Sequence, residues 1–149
     1  MEKDLSDLAI TGKDGILPHQ APSHHNKGIR FCEIDNERLV LKFCKNFKGY
    51  NIEKNAYLLL NNEDCVPTLK YFDDKNHILC MTYVGLPASY YDKQKTLYTD
   101  ICPGYYEKLE KIYQTLKEKY NFELRKTEKT KWNVCIDSNG VLRIIDLVT

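Results

Sequence analysis

The sequence predicts an α+β fold, in which a small antiparallel sheet with one helix is followed by a long helix and a terminal β-hairpin. Two pairs of short alternating apolar runs, joined by turns that contain Asp and Asn, predict the sheet. An amphipathic segment after Pro103 predicts the long helix. Two β-branched runs on either side of residues 137–140 predict the hairpin.

Length and composition are those of a globular protein. The chain has 149 residues, of which 42% are hydrophobic and 29% charged, enough to form a core. The formal net charge of +1 produces no field that would select nucleic acid or a membrane. No apolar run is long enough to span a membrane, and the charged start is unlike a signal peptide. We therefore expect a cytoplasmic protein with neither a membrane nor a nucleic-acid partner.

The six cysteines are widely spaced, without a Cys-x-x-Cys pair, and most lie within apolar, strand-like runs. This pattern favours reduced thiols in the core over a disulfide framework or a zinc site. We expect neither zinc nor haem. The cysteines are Cys32, Cys44, Cys65, Cys80, Cys102 and Cys135.

Residues 1–27 are predicted to form an irregular N-terminal arm, because glycines and prolines interrupt any regular period. From Gly28 the pattern predicts two antiparallel strands, residues 28–34 and 38–44, around a turn at residues 35–37. In the second strand Lys42 shares a face with apolar neighbours. A lysine held over an apolar surface can bind phosphate, or it can be a surface lysine that extends its charged end into solvent.

A helix is predicted from an N-cap at Asn51 to about Asn61. Its apolar stripe comprises Ile52, Tyr57, Leu59 and Leu60. Glu53 falls on the side of Tyr57 and Leu60, so it should point inward and pair with Lys42. The alternative is that Glu53 only complements the positive end of the helix.

Residues 65–72 and 77–84, with a turn at residues 73–76, predict a second hairpin, and Gly85, Leu86 and Pro87 then break the strand. The long helix is predicted to begin at Pro103, in its first turn. Its apolar residues recur at helical spacing and are Tyr106, Leu109, Ile112, Tyr113, Leu116 and Tyr120.

The terminal hairpin has polar residues where it begins and ends. Asn133 opens its first strand and Asp146 follows its second, which places two oxygen ligands at one end of the hairpin. Carboxylate and amide oxygens suit a hard cation such as Mg²⁺. The alternative is an ordinary hairpin with polar ends.

Taken in order, these motifs resemble a eukaryotic-type protein kinase. Residues 39–42 (Leu-Val-Leu-Lys) are similar to the kinase strand that carries the phosphate-binding lysine, and Glu53 is similar to its helix C partner. Residues 81–85 resemble the gatekeeper and hinge, the long helix resembles helix E, and Asn133 and Asp146 resemble the metal-binding Asn and Asp.

The resemblance implies a kinase-like N-lobe over residues 28–85 and a reduced C-lobe over residues 86–149. It implies ATP and Mg²⁺ as ligands, with Lys42 and Glu53 at the phosphates. The adenine would meet the segment formed by Met81, Thr82, Tyr83 and Val84. Asn133 and Asp146 would bind the metal.

Three departures from the kinase pattern bear on activity. No G-x-G-x-x-G loop precedes Lys42, and Glu128 stands where the catalytic-loop aspartate is expected. The sequence also stops three residues after Asp146, before any activation segment. We therefore expect a truncated, degenerate pseudokinase, not an active enzyme, that serves as a binding, regulatory or assembly component with another protein as partner.

Two alternatives remain open. The first is a minimal, atypical ATP-dependent phosphotransferase that uses Lys42, Glu53, Asn133 and Asp146, with Glu128 as a general base. The second is an α+β interaction module unrelated to kinases.

Overall fold

The chain forms two antiparallel β-sheets and three helices in the computed structural model, which describes residues 1–5, 29–87, 98–123 and 134–145. The predicted α+β class is confirmed. The chain divides into two compact units, Met1–Asn61 with Thr68–Tyr83 and Asn62–Pro67 with Val84–Thr149. The second unit therefore includes a short stretch that lies, in the sequence, between two parts of the first.

The first unit contains a four-stranded sheet. Its strands are β1 (Ile29–Ile34), β2 (Glu37–Phe43), β3 (Leu69–Asp73) and β4 (Ile78–Thr82), in the order β1-β2-β4-β3, with all neighbours antiparallel. Asp35 and Asn36 connect β1 to β2 with φ values of 51° and 67°. Positive φ at both positions is the conformation that a two-residue hairpin turn of type I′ requires. Both hairpins predicted for this part of the chain are confirmed, but β3 begins at Leu69, four residues after the predicted start at Cys65.

The helix of the first unit, α1 (Phe47–Leu59), begins earlier than predicted, and the assignment of Asn51 as its N-cap is wrong. Asn46 is the N-cap: its backbone is extended, and its Oδ1 accepts a hydrogen bond of 2.8 Å from the Gly49 N–H. Gly49 lowers helix propensity, but in the first turn its N–H is one of those that a cap must satisfy. Asn51 lies within the helix.

The predicted apolar stripe of α1 is partly wrong. Tyr57 and Leu60 are buried, but Ile52 and Leu59 are about half exposed, at 47% and 51%. The face that α1 buries has the carboxylate of Glu53 near its centre. A prediction based on apolar residues alone leaves Glu53 out and therefore selects a different face of the helix. The buried residues of α1 are Tyr50, Glu53, Ala56 and Tyr57, and its C-cap, Leu60, is buried as well.

The N-terminal segment (residues 1–5) lies along the outer edge of β3. The Lys3 N–H donates to the Phe72 carbonyl (2.8 Å), and the Phe72 N–H donates to the Met1 carbonyl (3.1 Å). Leu5 is fully buried. It packs in an apolar cluster formed with Leu39, Leu41, Ile78 and Cys80.

The second unit contains a three-stranded antiparallel sheet. Its strands are β5 (Leu86–Pro87), β6 (Val134–Ile136) and β7 (Leu142–Ile144), in that order. The predicted terminal hairpin is confirmed over β6 and β7. β4 ends at Thr82, two residues before the predicted strand end at Val84, and Leu86 and Pro87, predicted only to break that strand, form β5 of the second sheet. Gly85 has a φ of +104°, and a Cβ atom there would overlap the Ile136 carbonyl, so the position requires glycine.

Two helices precede the terminal hairpin, α2 (Tyr98–Ile101) and α3 (Tyr105–Tyr120). The predicted start of the long helix at Pro103 is wrong: Pro103 lies in the turn between the helices, and Gly104, in a left-handed conformation, is the N-cap. Tyr105 is therefore the residue that packs inward, whereas Tyr106 is 61% exposed. Leu109 and Leu116 are buried as predicted.

Residues 62–67 pack against the second sheet and α3. The Ile144 N–H donates to the Cys65 carbonyl (2.8 Å) at the open edge of β7. Glu63 accepts hydrogen bonds from the Tyr120 hydroxyl (2.6 Å) and from Lys119 Nζ (2.9 Å). These bonds, led by that of Tyr120, hold the pKa of Glu63 below its ordinary value.

Five cysteines have described side chains, and all five are free thiols, as predicted. Cys80, Cys102 and Cys135 are buried, and Cys44 and Cys65 are partly exposed. Within the described part of the chain, no helix is long and apolar enough to cross a membrane.

Candidate functional site

Lys42 projects from an interior strand of the first sheet. In register it lies between Ile29 of β1 and Leu79 of β4. Strand alternation puts Leu39 and Leu41 on the opposite face, in the apolar cluster with Leu5. The Lys42 side chain is 23% exposed, so most of its length is shielded from water.

Glu53 reaches the sheet from α1. It lies three residues after Tyr50 and four before Tyr57, and both tyrosines are fully buried. Residues at this spacing share one face of a helix. Glu53 is itself only 5% exposed, so the predicted inward orientation is confirmed.

The two side chains form an ion pair, with Lys42 Nζ 2.5 Å from Glu53 Oε1. The predicted pairing is thus present, and complementing the helix end is not the whole role of Glu53. A buried carboxylate is costly without such a partner. The pair holds one ammonium group at a fixed position between β2 and α1. Because an ammonium has three donors, the same group can contact both a carboxylate and an anionic ligand.

The structure describes the predicted adenine-binding segment, residues 81–84, and two of its backbone N–H groups already donate hydrogen bonds within the protein. The Thr82 N–H donates to the Thr68 carbonyl (3.0 Å), and the Tyr83 N–H donates to the Arg38 carbonyl (3.3 Å). Met81 and Val84 have buried side chains, at 4% and 8% exposure. A ligand edge that needs an N–H donor would therefore not find it at Thr82 or Tyr83. The ligand-binding role of these residues stays a prediction.

The remaining predicted site residues lie outside the described residues. These are the predicted metal ligands Asn133 and Asp146 and the predicted base Glu128. The structure describes the hairpin between these two predicted ligands, and Asp137 closes its turn. The carboxylate of Asp137 accepts hydrogen bonds from the Asn139 and Val141 amides and from Arg143 Nη1. Over residues 1–5, 29–87, 98–123 and 134–145, no three His, Cys, Asp or Glu side chains are grouped to hold a metal ion.

Asp73 is a buried carboxylate that the sequence pattern assigned only to a turn. It is 1% exposed, and it accepts hydrogen bonds from the backbone of Leu5, Lys75 and Asn76 and from the Asn76 side chain. Burial alone would raise the pKa of Asp73, but these hydrogen bonds outweigh it and hold the pKa below its ordinary value. In the sequence, the Asp-x-x-Asn spacing of this turn is the pattern that could have indicated a hydrogen-bonded Asp73 carboxylate.

A second polar network joins α1 to the turn after β3. The Tyr50 hydroxyl donates to Asp74 Oδ1 (2.6 Å), which Lys54 Nζ also contacts (2.9 Å). The hydrogen bond from Tyr50 and then that from Lys54 lower the pKa of Asp74, and burial raises the pKa of Tyr50. These contacts fix α1 over the sheet and so support the position of Glu53.

Comparison with known proteins gives no family assignment. No protein-family model matches this chain, and a search of curated proteins finds no match. Function therefore has to be inferred from the residues and their geometry.

Proposed function

We propose that the protein is a kinase-like, nucleotide-binding pseudokinase that serves as a binding, regulatory or assembly component for another protein. The observation that supports this most is the shielded ion pair between Lys42 on an interior strand and Glu53 on α1. Protein kinases require a strand lysine and a helix glutamate paired in this way at the nucleotide phosphates. An antiparallel sheet with one helix is the setting in which that pair occurs.

The proposed ligands are ATP and Mg²⁺. Lys42, oriented by Glu53, would contact phosphate oxygens, since an ammonium is a point-charge phosphate ligand. Asn133 and Asp146 would supply oxygen ligands to Mg²⁺. The adenine would lie against residues 81–84 and use groups other than the Thr82 and Tyr83 amides, which the sheet already engages.

Weak or absent phosphoryl transfer follows from the sequence. Positioning supplies most of the catalysis in phosphoryl transfer, and no glycine-rich loop precedes Lys42 to position the phosphates. Glu128, in place of an aspartate, would move the base by about one methylene, more than an ångström, and misplacement on this scale is costly.

Thermal unfolding with ATP, with and without Mg²⁺, tests the proposal. A ligand at a hundred times its dissociation constant stabilises the folded state by about 2.7 kcal/mol, a shift of roughly 5–10 °C in Tm for a chain of this size. We expect this shift in the wild type and not in Lys42→Met. Asp146→Asn should lose the Mg²⁺-dependent part. Lys70→Met is the matched control, since Lys70 pairs with Glu37 at the surface of the same sheet (3.4 Å).

The outcomes separate the three hypotheses. No Tm shift in the wild type would reject nucleotide binding and favour the unrelated α+β interaction module. An equal shift in Lys42→Met and Lys70→Met would reject the role of Lys42. Stoichiometric phosphorylation of a protein substrate, lost in Glu128→Gln, would replace the pseudokinase by the atypical phosphotransferase.

A further inference from the structure

The N-terminal segment (residues 1–5) contacts β3 as an added strand. β3 is an edge strand of its sheet, and Glu2 forms a parallel bridge with Phe72. One backbone hydrogen bond runs in each direction, from Lys3 to Phe72 and from Phe72 to Met1. This is the geometry by which extended peptides add to an exposed sheet edge.

Side chains of the segment contact the edge individually. The Glu2 carboxylate accepts the Asp74 N–H, at 3.2 and 3.3 Å from its two oxygens. Lys3 Nζ lies 4.7 Å from the centroid of the Tyr71 ring. Leu5 enters the apolar cluster and is fully buried. The edge therefore distinguishes the side chains at three positions of the segment.

A buried polar group completes this site. Asp73 Oδ2 accepts the Leu5 N–H at 2.8 Å, and the same oxygen accepts the Asn76 side-chain amide at 2.8 Å. Asp73 is 1% exposed, so its orientation is set by the surrounding fold. An oriented, shielded acceptor at the point where Leu5 enters the cluster fixes the register of the segment.

We propose that the outer edge of β3 is a docking site for an extended Glu-Lys-x-Leu segment, and that it takes residues 1–5 from a second copy of this chain as well as from its own. Exchange of an identical segment preserves every contact described above, which makes it a low-cost route to a dimer. Residues 6–28 separate the segment from β1, and a stretch of that length can reach at most roughly 80 Å.

Concentration governs the balance between the two arrangements. A segment tethered to its own site has an effective concentration in the millimolar range. Docking within one chain therefore predominates in dilute solution, and exchanged dimers appear as the protein concentration approaches millimolar. Leu5 is the residue on which both arrangements depend most.

A labelled synthetic peptide of residues 1–5 tests the site. We expect it to bind the full-length Leu5→Ala chain at least tenfold more tightly than the wild-type chain, whose own segment competes. A peptide with Leu5→Ala should bind at least tenfold more weakly. A peptide with Met1→Ala is the matched control and should bind unchanged, because the Met1 side chain is 78% exposed. Absence of peptide binding to a folded Leu5→Ala chain at 1 mM would overturn the proposal.

Sedimentation of the wild-type chain tests the partner and needs no variant that might misfold. The dimer fraction should rise between about 10 μM and 1 mM, and free peptide should lower it. A chain that stays monomeric throughout, or a dimer that excess peptide leaves unchanged, would contradict exchange between copies.

Discussion

Lys42 and Glu53 depend on each other for their stability in the fold. Removing one deprives the other, whose charge is shielded from water, of this ion pair, which costs about 1–3 kcal/mol, against a few tenths for an exposed pair. Lys42→Met and Glu53→Gln should each lower the free energy of unfolding by that amount in urea denaturation. Lys70→Met, at the exposed pair with Glu37, should change it by less than about 0.5 kcal/mol.

The double variant of Lys42→Met and Glu53→Gln separates pairing from packing. If the two charges interact, its loss of stability should be smaller than the sum of the single losses, by about 1 kcal/mol or more. Additive losses would show that each side chain stabilises the fold independently, and they would contradict a stabilising interaction between the two charges.

Asp73 links the stability of the first unit to pH. Its pKa is lower in the folded protein than in the unfolded chain, because its hydrogen bonds outweigh burial. The stabilisation is therefore present above the unfolded pKa of about 3.9 and is lost as the pH falls through the folded value. Asp73→Asn should lower stability by about 1–3 kcal/mol at pH 7, and its difference from the wild type should shrink below about pH 4.

Urea denaturation from pH 7 to pH 2 measures this effect. Asp35→Asn, at an exposed turn position where Asn also tolerates positive φ, is the control and should change stability at pH 7 by less than about 0.5 kcal/mol. If the difference in the free energy of unfolding between Asp73→Asn and the wild type stays constant with pH, Asp73 stabilises the fold through its packing and not through its charge.

At the scale of the element, the N-cap of α1 can be tested by two asparagines of the same helix. Asn46→Ala removes the acceptor for the Gly49 N–H and should cost about 1 kcal/mol. Asn51→Ala should be neutral or stabilising by a few tenths, because alanine has the higher helix propensity. Urea denaturation distinguishes them, and the reverse order of effects would place the start of the helix at Asn51.

The same helix shows how far local patterns predict this fold. The hairpins are predictable because turn chemistry and strand alternation are local, as at Asp35 and Asn36. Alternation in β2 and spacing in α1 also place Lys42 and Glu53 on facing surfaces. The N-cap is not settled locally, since Asn46 and Asn51 are equally suitable residues, and packing decides between them.

Contacts between residues far apart in the sequence could not be predicted from local sequence patterns. The hydrogen bond from Leu5 to Asp73 joins residues 68 positions apart. Nothing in the composition of residues 1–27 marks Leu5 as a core residue. The Asp-x-x-Asn spacing predicts the local hydrogen bonds of Asp73 with Asn76, but it does not predict the hydrogen bond from Leu5.

At the scale of the whole molecule, the thiols report on folding. Burial raises the pKa of Cys135 to about 12 and that of Cys65 to about 11, which lowers the fraction of reactive thiolate at both positions at pH 8. Titration with a thiol reagent should leave at least Cys80, Cys102 and Cys135 unmodified in the native protein. All six cysteines of the sequence should react after unfolding. Fewer than six would indicate a disulfide.

The hydrogen bond between Ile144 and Cys65 imposes an order on biosynthesis. Every strand of the first sheet has been made once Thr82 has been added, so that sheet can form while the chain is still being translated. The Cys65 carbonyl is made before β3, but the amide that it contacts in the native protein becomes available only when Ile144 emerges from the ribosome. Until then that carbonyl must be solvated by water. On a ribosome stalled shortly before Ile144, the nascent chain would have a complete first sheet, but residues 62–67 would lack their hydrogen bond to β7.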